Sequence, residues 1–183
     1  VRDPMATSFL TRRLQDAPAW AFSLYAASAA FATYFCMYGL RKPFAVGLYP
    51  GTVWGDLELK TLFITAQVVG YAISKIIGVK VVSEVQRQQR VWAILVAVGI
   101  AELALVGFAL TPTPWNAVWM VVNGLPLGMI WGLVFGYLEG RKVSDLLGAG
   151  LAMSFILASG VVKAVGRALI AAGLPEVWMP AAT

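Results

Sequence analysis

The sequence contains no histidine and one cysteine, and only 13% of its 183 residues are charged. Without histidine the commonest general base and metal ligand is missing. A lone Cys36 cannot close an intrachain disulfide, and in its apolar setting it reads as a small packing residue. A soluble domain of this length carries about 25% charged residues, so charge is scarce in both signs. Acidic residues are the scarcer, nine against fourteen Lys and Arg, leaving a net charge of +5. That excess is not gathered on one face; it falls mostly between apolar runs, so no nucleic-acid partner is expected. A membrane-embedded enzyme would need a nucleophile with its base, or a set of metal ligands. Neither is assembled here, so the chain is expected to be no enzyme and to hold no metal or cofactor.

What the chain has in excess is apolar length. Hydrophobic residues make up 60% of it, mean hydropathy is +0.77, and there are seven tryptophans. Roughly 20 apolar residues in a helix cross the hydrocarbon layer of a bilayer. Five segments reach that length: 20–40, 61–82, 91–110, 117–138 and 147–171. None alternates with a period of two, as a barrel strand would, so the expectation is an all-α membrane protein with five transmembrane helices. No short apolar core with a small-residue cleavage site precedes them, and Met5 is a candidate start. Residues 1–18 then form an N-terminal segment, 19–174 the helical region, and 175–183 the beginning of a loop or sixth helix. The last residues, LPEVWMPAAT, set Pro175 and Pro180 around Trp178, and the chain reads as a fragment of a longer protein.

Lys and Arg follow the inner loops of a bilayer protein. Arg2, Arg12, Arg13, Lys80, Arg87, Arg90, Arg141 and Lys142 fall on one side, with only Lys60 and at most Arg41 and Lys42 on the other. The N-terminus is therefore expected in the cytoplasm, in a bacterial inner membrane.

Charges inside the spans carry the functional question, because ionisable groups there are costly and usually face a cavity or a partner. YFCMYGLRKPF, residues 34–44, admits two registers for Arg41 and Lys42. Either the first helix stops at residue 40 and the pair snorkels at the outer surface, or it continues past Pro43 and Arg41 lies near mid-depth. Tyr34, Tyr38 and Arg41 share one helical face. Tyr71 stands one turn before Lys75 in the second segment. Glu102 lies about 16 Å into the third, either carrying a coupling proton or paired with a cation. Lys163 and Arg167 share a face of the fifth. Gly124, Gly128, Gly132, Gly136 and Gly140 recur every four residues and form a slanted stripe fitted to close helix packing, with Pro126 as a bend.

Three short stretches resemble one known family. YGLRKPF at 38–44, YAISK at 71–75 and the Gly124-to-Trp131 stretch are similar to elements of major facilitator superfamily transporters, closest to the organophosphate:phosphate antiporter branch. The resemblance implies an N-terminal half of a twelve-helix transporter, most of its six-helix bundle, whose C-terminal half would be a partner. It also implies an anionic or phosphorylated solute moved by alternating access and bound at Arg41 and Lys75, with Tyr34, Tyr38 and Tyr71 beside them. The gating loop of that family would fall on Gly78, Glu84, Arg87 and Arg90, where GVKVVSEVQRQQR departs from its pattern. The antiporters also carry a histidine on helix five, which this chain lacks. A non-transporting membrane sensor with the same fold is the alternative.

Overall fold

The computed structural model describes residues 18–53, 55–86, 89–138 and 144–183. Five long helices dominate: α1 (Ala19–Gly39), α2 (Leu59–Glu84), α3 (Arg90–Leu110), α4 (Ala117–Leu138) and α5 (Ser144–Ala171). The reason is the solvent these segments imply. In hydrocarbon each backbone group must bond within its own segment, and a helix does that. Among the described residues, four stretches are long and apolar enough to cross a membrane: Leu59–Gly78, Arg90–Leu110, Ala117–Val134 and Ala152–Ala171. The expectation of five thus stands at four, with α1 as a fifth helix of 21 residues and no charge. Its serines, threonine and tyrosines lower its hydropathy without adding charge. The chain is a multi-pass, all-α membrane protein.

Between α1 and α2 the chain is ordered. A short 3-10 helix, Pro43–Val46, follows the end of α1. Two strands, β1 (Thr52–Val53) and β2 (Leu57–Glu58), then pair antiparallel, Thr52 opposite Glu58 and Val53 opposite Leu57. Such a hairpin is too short to show as alternation in the sequence.

The helices pack as two long pairs, α2 along α4 and α1 along α5, with α3 laid against α4. The glycine stripe explains the first pair. A side chain on Gly124 would strike the backbone of Gln67 and Tyr71, and one on Gly128 would strike Ser74. Reciprocally, Gly70 of α2 admits the backbone of Val121. Gly132 faces Val82. Gly136 lies on α4, its surroundings outside the description, and Gly140 lies outside the described residues, as do Arg2, Arg12, Arg13, Arg87, Arg141 and Lys142.

Two apolar clusters fill the bundle. One gathers Tyr34, Met37, Ala101, Leu127 and Ile130; the other gathers Phe44, Tyr49, Phe63, Leu105, Phe108 and Met120. Leu40 packs against both, so the end of α1 lies where the clusters meet. In the second cluster Tyr49, Phe63 and Phe108 meet edge to face, with centroids 5.0–5.9 Å apart, an arrangement the ring quadrupoles favour.

Residues 176–182 form compact turns, and Met179 is fully buried. The Glu176 carboxylate ties this segment to the end of the loop after α1. It accepts hydrogen bonds from the N–H groups of Leu48 (3.0 Å) and Tyr49 (2.8 Å), while the Tyr49 hydroxyl donates to the Glu176 carbonyl at 3.3 Å. The α1–α2 connection and the C-terminal segment therefore share one end of the bundle.

Candidate functional site

The helix α1 stops at Gly39, and Pro43 explains why it does not resume as α-helix: a proline lacks the N–H, and its ring clashes with the preceding turn. Leu40, Arg41 and Lys42 bridge the two helices in a tight turn, with the N–H groups of Arg41 and Lys42 both donating to Tyr38 O. Chain ends of this kind leave carbonyls without helical partners. Two amides from other helices meet them. Asn123 Nδ2 on α4 donates to Leu40 O at 3.4 Å, and Gln67 Nε2 on α2 donates to Arg41 O at 3.4 Å. Gln67 Nε2 also donates to Asn123 Oδ1 at 2.8 Å, and Asn123 Nδ2 donates to Ala101 O on α3 at 3.0 Å. Both amides are buried. The broken end of α1 is thus fastened to α2 and α4, and through Asn123 to α3.

From this anchored turn the Arg41 side chain reaches α2. Its guanidinium carbon lies 4.2 Å from the centroid of the Tyr71 ring. Lys75 Nζ lies 5.0 Å from the same ring and 5.0 Å from that of Trp131 on α4. Both cations therefore rest on aromatic faces, where the ring quadrupole attracts them. Tyr71 is twelve residues from Leu59 and thirteen from Glu84, the two ends of α2. The Arg41 guanidinium therefore sits level with the middle of α2. Of the two sequence registers, the α-helix ends where the first put it, at Gly39, and does not continue past Pro43.

The two remaining tyrosines complete the group. The Tyr34 and Tyr38 rings lie tilted to each other at 5.9 Å; Phe155 of α5 meets Tyr34 at a tilt, 4.7 Å away, and stacks on Tyr38 at 5.6 Å. Both lie within electrostatic reach of Arg41 and Tyr71. All five residues that the sequence suggested for binding, Arg41, Lys75, Tyr34, Tyr38 and Tyr71, are brought together. Lys163 joins them indirectly, since Lys42 is within electrostatic reach of both Arg41 and Lys163.

Other singled-out residues lie apart. Glu102 is half-buried on α3 and makes no ion pair among the described residues, while Arg167 is exposed. Gly78 is buried against Met129, Glu84 ends α2, and Arg90 begins α3. A groove of about 710 Å³ runs between α1 and α3 and is lined by residues such as Ala26, Leu95 and Val98; none of the cations lines it. Gln67 and Asn123 were not signalled by any motif. Their only sequence mark is an amide inside an apolar run.

Chemically, the arrangement offers positive charge with aromatic walls and no paired carboxylate among the described residues. A guanidinium presents a planar fork that matches carboxylate or phosphate oxygens, and an ammonium adds charge without fixed geometry.

Residues 43–183 match a family model described as a family of unknown function, DUF5690. The chain belongs to that family. The match takes in Tyr71, Lys75, Asn123 and Trp131 and begins two residues after Arg41. No curated protein and no solved structure matches the chain.

Proposed function

We propose that this chain is part of a secondary transporter of the major facilitator type that moves a small anionic organic solute. The observation that carries the reading is the pair of cations around Tyr71. Arg41 comes from the turn after α1 and Lys75 from α2; they meet at the Tyr71 ring, midway along α2, and have no carboxylate partner among the described residues. A bundle selected only for packing would neutralise or exclude such charges, because unpaired cations in hydrocarbon are expensive. An anion entering between them would offset that cost. The broken α1 fits the same reading: in transporters, discontinuous helices at mid-membrane place backbone and side-chain groups at the substrate.

In the account we propose, α1 is the fifth crossing, the N-terminus is cytoplasmic, and Arg41 and Lys75 hold the anionic group of the solute while Tyr34, Tyr38 and Tyr71 line the approach. The α1–α5 and α2–α4 pairs would move as one body against a second bundle.

The test is solute counterflow. The protein, in the longest form its gene encodes, is reconstituted into vesicles preloaded with phosphate, and uptake of labelled phosphate or of labelled carboxylate and phosphate-ester solutes is followed. Accumulation that is abolished in both Arg41→Ala and Lys75→Ala supports transport at this site. Binding of an anion without any uptake would assign the same fold to a sensor.

A further inference from the structure

We infer that Gln67 and Asn123 are positioning residues for Arg41, acting through the backbone of the broken α1. The inference rests on the anion reading above and adds residues that no motif supplied. A side chain that holds a ligand must itself be held, and Arg41 stands in a turn between two helices, where the ladder of backbone bonds is interrupted. Its own carbonyl and that of Leu40 are fixed by the two buried amides. Asn123 is satisfied on every side that matters: it accepts from Gln67 and donates to Leu40 O and Ala101 O. The network joins the turn after α1 to α2, α3 and α4, and it sits where Leu40 touches both apolar clusters.

The packing below it adds a reason for this location. Gly124, next to Asn123, admits the backbone around Gln67, so the two amides are brought together by the closest approach of α2 and α4. Gln67 lies one turn before Tyr71, and Tyr71 carries both cations on its ring. The network therefore fixes the Arg41 backbone to the same helix that bears the surface on which its guanidinium rests. Loss of either amide frees the turn, and Arg41 no longer meets Lys75 across Tyr71.

The experiment is isothermal titration of the full chain in detergent with inorganic phosphate, sulfate and succinate. Variants are Asn123→Leu and Gln67→Met, with Asn123→Ser as the milder replacement if the first fails to fold. Asn116→Leu is the control, because Asn116 is also a buried amide, just before α4, but its side chain has no hydrogen-bond partner among the described residues. For whichever anion binds the wild type, the Asn123 and Gln67 variants are expected to weaken affinity about tenfold, the scale of one charge-assisted bond, and the control less than about twofold. A merely structural role would not show epistasis, so each substitution is repeated with Arg41→Ala. There it is expected to change the residual affinity by less than about twofold, since the residue it acts through is gone. Wild-type affinity in folded Asn123 and Gln67 variants, or an unchanged effect in the Arg41→Ala background, overturns the positioning role and leaves the anion site standing. Failure of all three anions to bind the wild type, or full affinity in both Arg41→Ala and Lys75→Ala, overturns the anion reading and this inference with it.

Discussion

Arg41 and Lys75 rest on aromatic faces where a soluble protein would offer carboxylates, and the difference defines what each can do. A cation on a ring keeps its outward face free to bind, whereas an ion pair consumes it. Elsewhere the same chain uses a carboxylate for anchoring. Glu176 accepts two backbone N–H groups from the loop after α1 and holds Tyr49, whose φ of 46° lies in the left-handed region. Glu176→Ala leaves both donors without that acceptor, and a loss of about 1–3 kcal/mol is expected in denaturant titration. Burial first, and then the Glu176 carboxylate, raise the Tyr49 phenol above its ordinary value of 10.0. Because the folded value is the higher one, the stability it confers is complete below about pH 10 and is lost as pH rises further. Tyr49→Phe should flatten that alkaline loss, read as thermal midpoint against pH.

The cations and tyrosines were legible in the sequence because they sit at helical spacing, Tyr34 with Tyr38 and Tyr71 with Lys75. Gln67 and Asn123 were not, since their partners are backbone carbonyls from distant parts of the chain. No spacing rule reports a contact between residues 40 and 123. Glu176 was hidden for the same reason.

At the scale of elements, the glycine stripe and the break in α1 shape the site. Their order along the chain was readable: the helix boundaries expected from apolar length agree with the structure to within three residues at each end. The partner of the stripe was not readable, because periodicity gives a face and not what faces it. The structure assigns that face to α2. Gly124→Ala forces a methyl group into the backbone of Gln67 and is expected to cost about 1–3 kcal/mol, with a lowered thermal midpoint in detergent. Gly160 has open space around it on the exposed side of α5. Gly160→Ala should be neutral or stabilising by up to roughly 1 kcal/mol, the helix-propensity difference. Equal effects from the two substitutions would mean that α2 and α4 do not touch along the stripe.

Across the whole molecule, the two cations meet at the ring of Tyr71, midway along α2 rather than at either of its ends. The end that carries the hairpin also carries the C-terminal segment, as the proposed orientation requires of an outer face. Cysteine labelling checks it in a Cys36→Ala background. Asp56→Cys in the hairpin should react with a membrane-impermeant maleimide added to intact cells, and Ser83→Cys near the end of α2 only after permeabilisation. The reverse pattern would invert the bundle.

The central claim, that Arg41 and Lys75 form one anion site, is tested most directly by ligand-induced stabilisation of the purified protein. A ligand that binds only the folded state raises the thermal midpoint by mass action. Phosphorylated and carboxylated metabolites are screened against the wild type, Arg41→Ala and Lys75→Ala. The account predicts that at least one anion stabilises the wild type and neither folded variant. Equal stabilisation of all three proteins would contradict it, and the two cations would then be surface anchors.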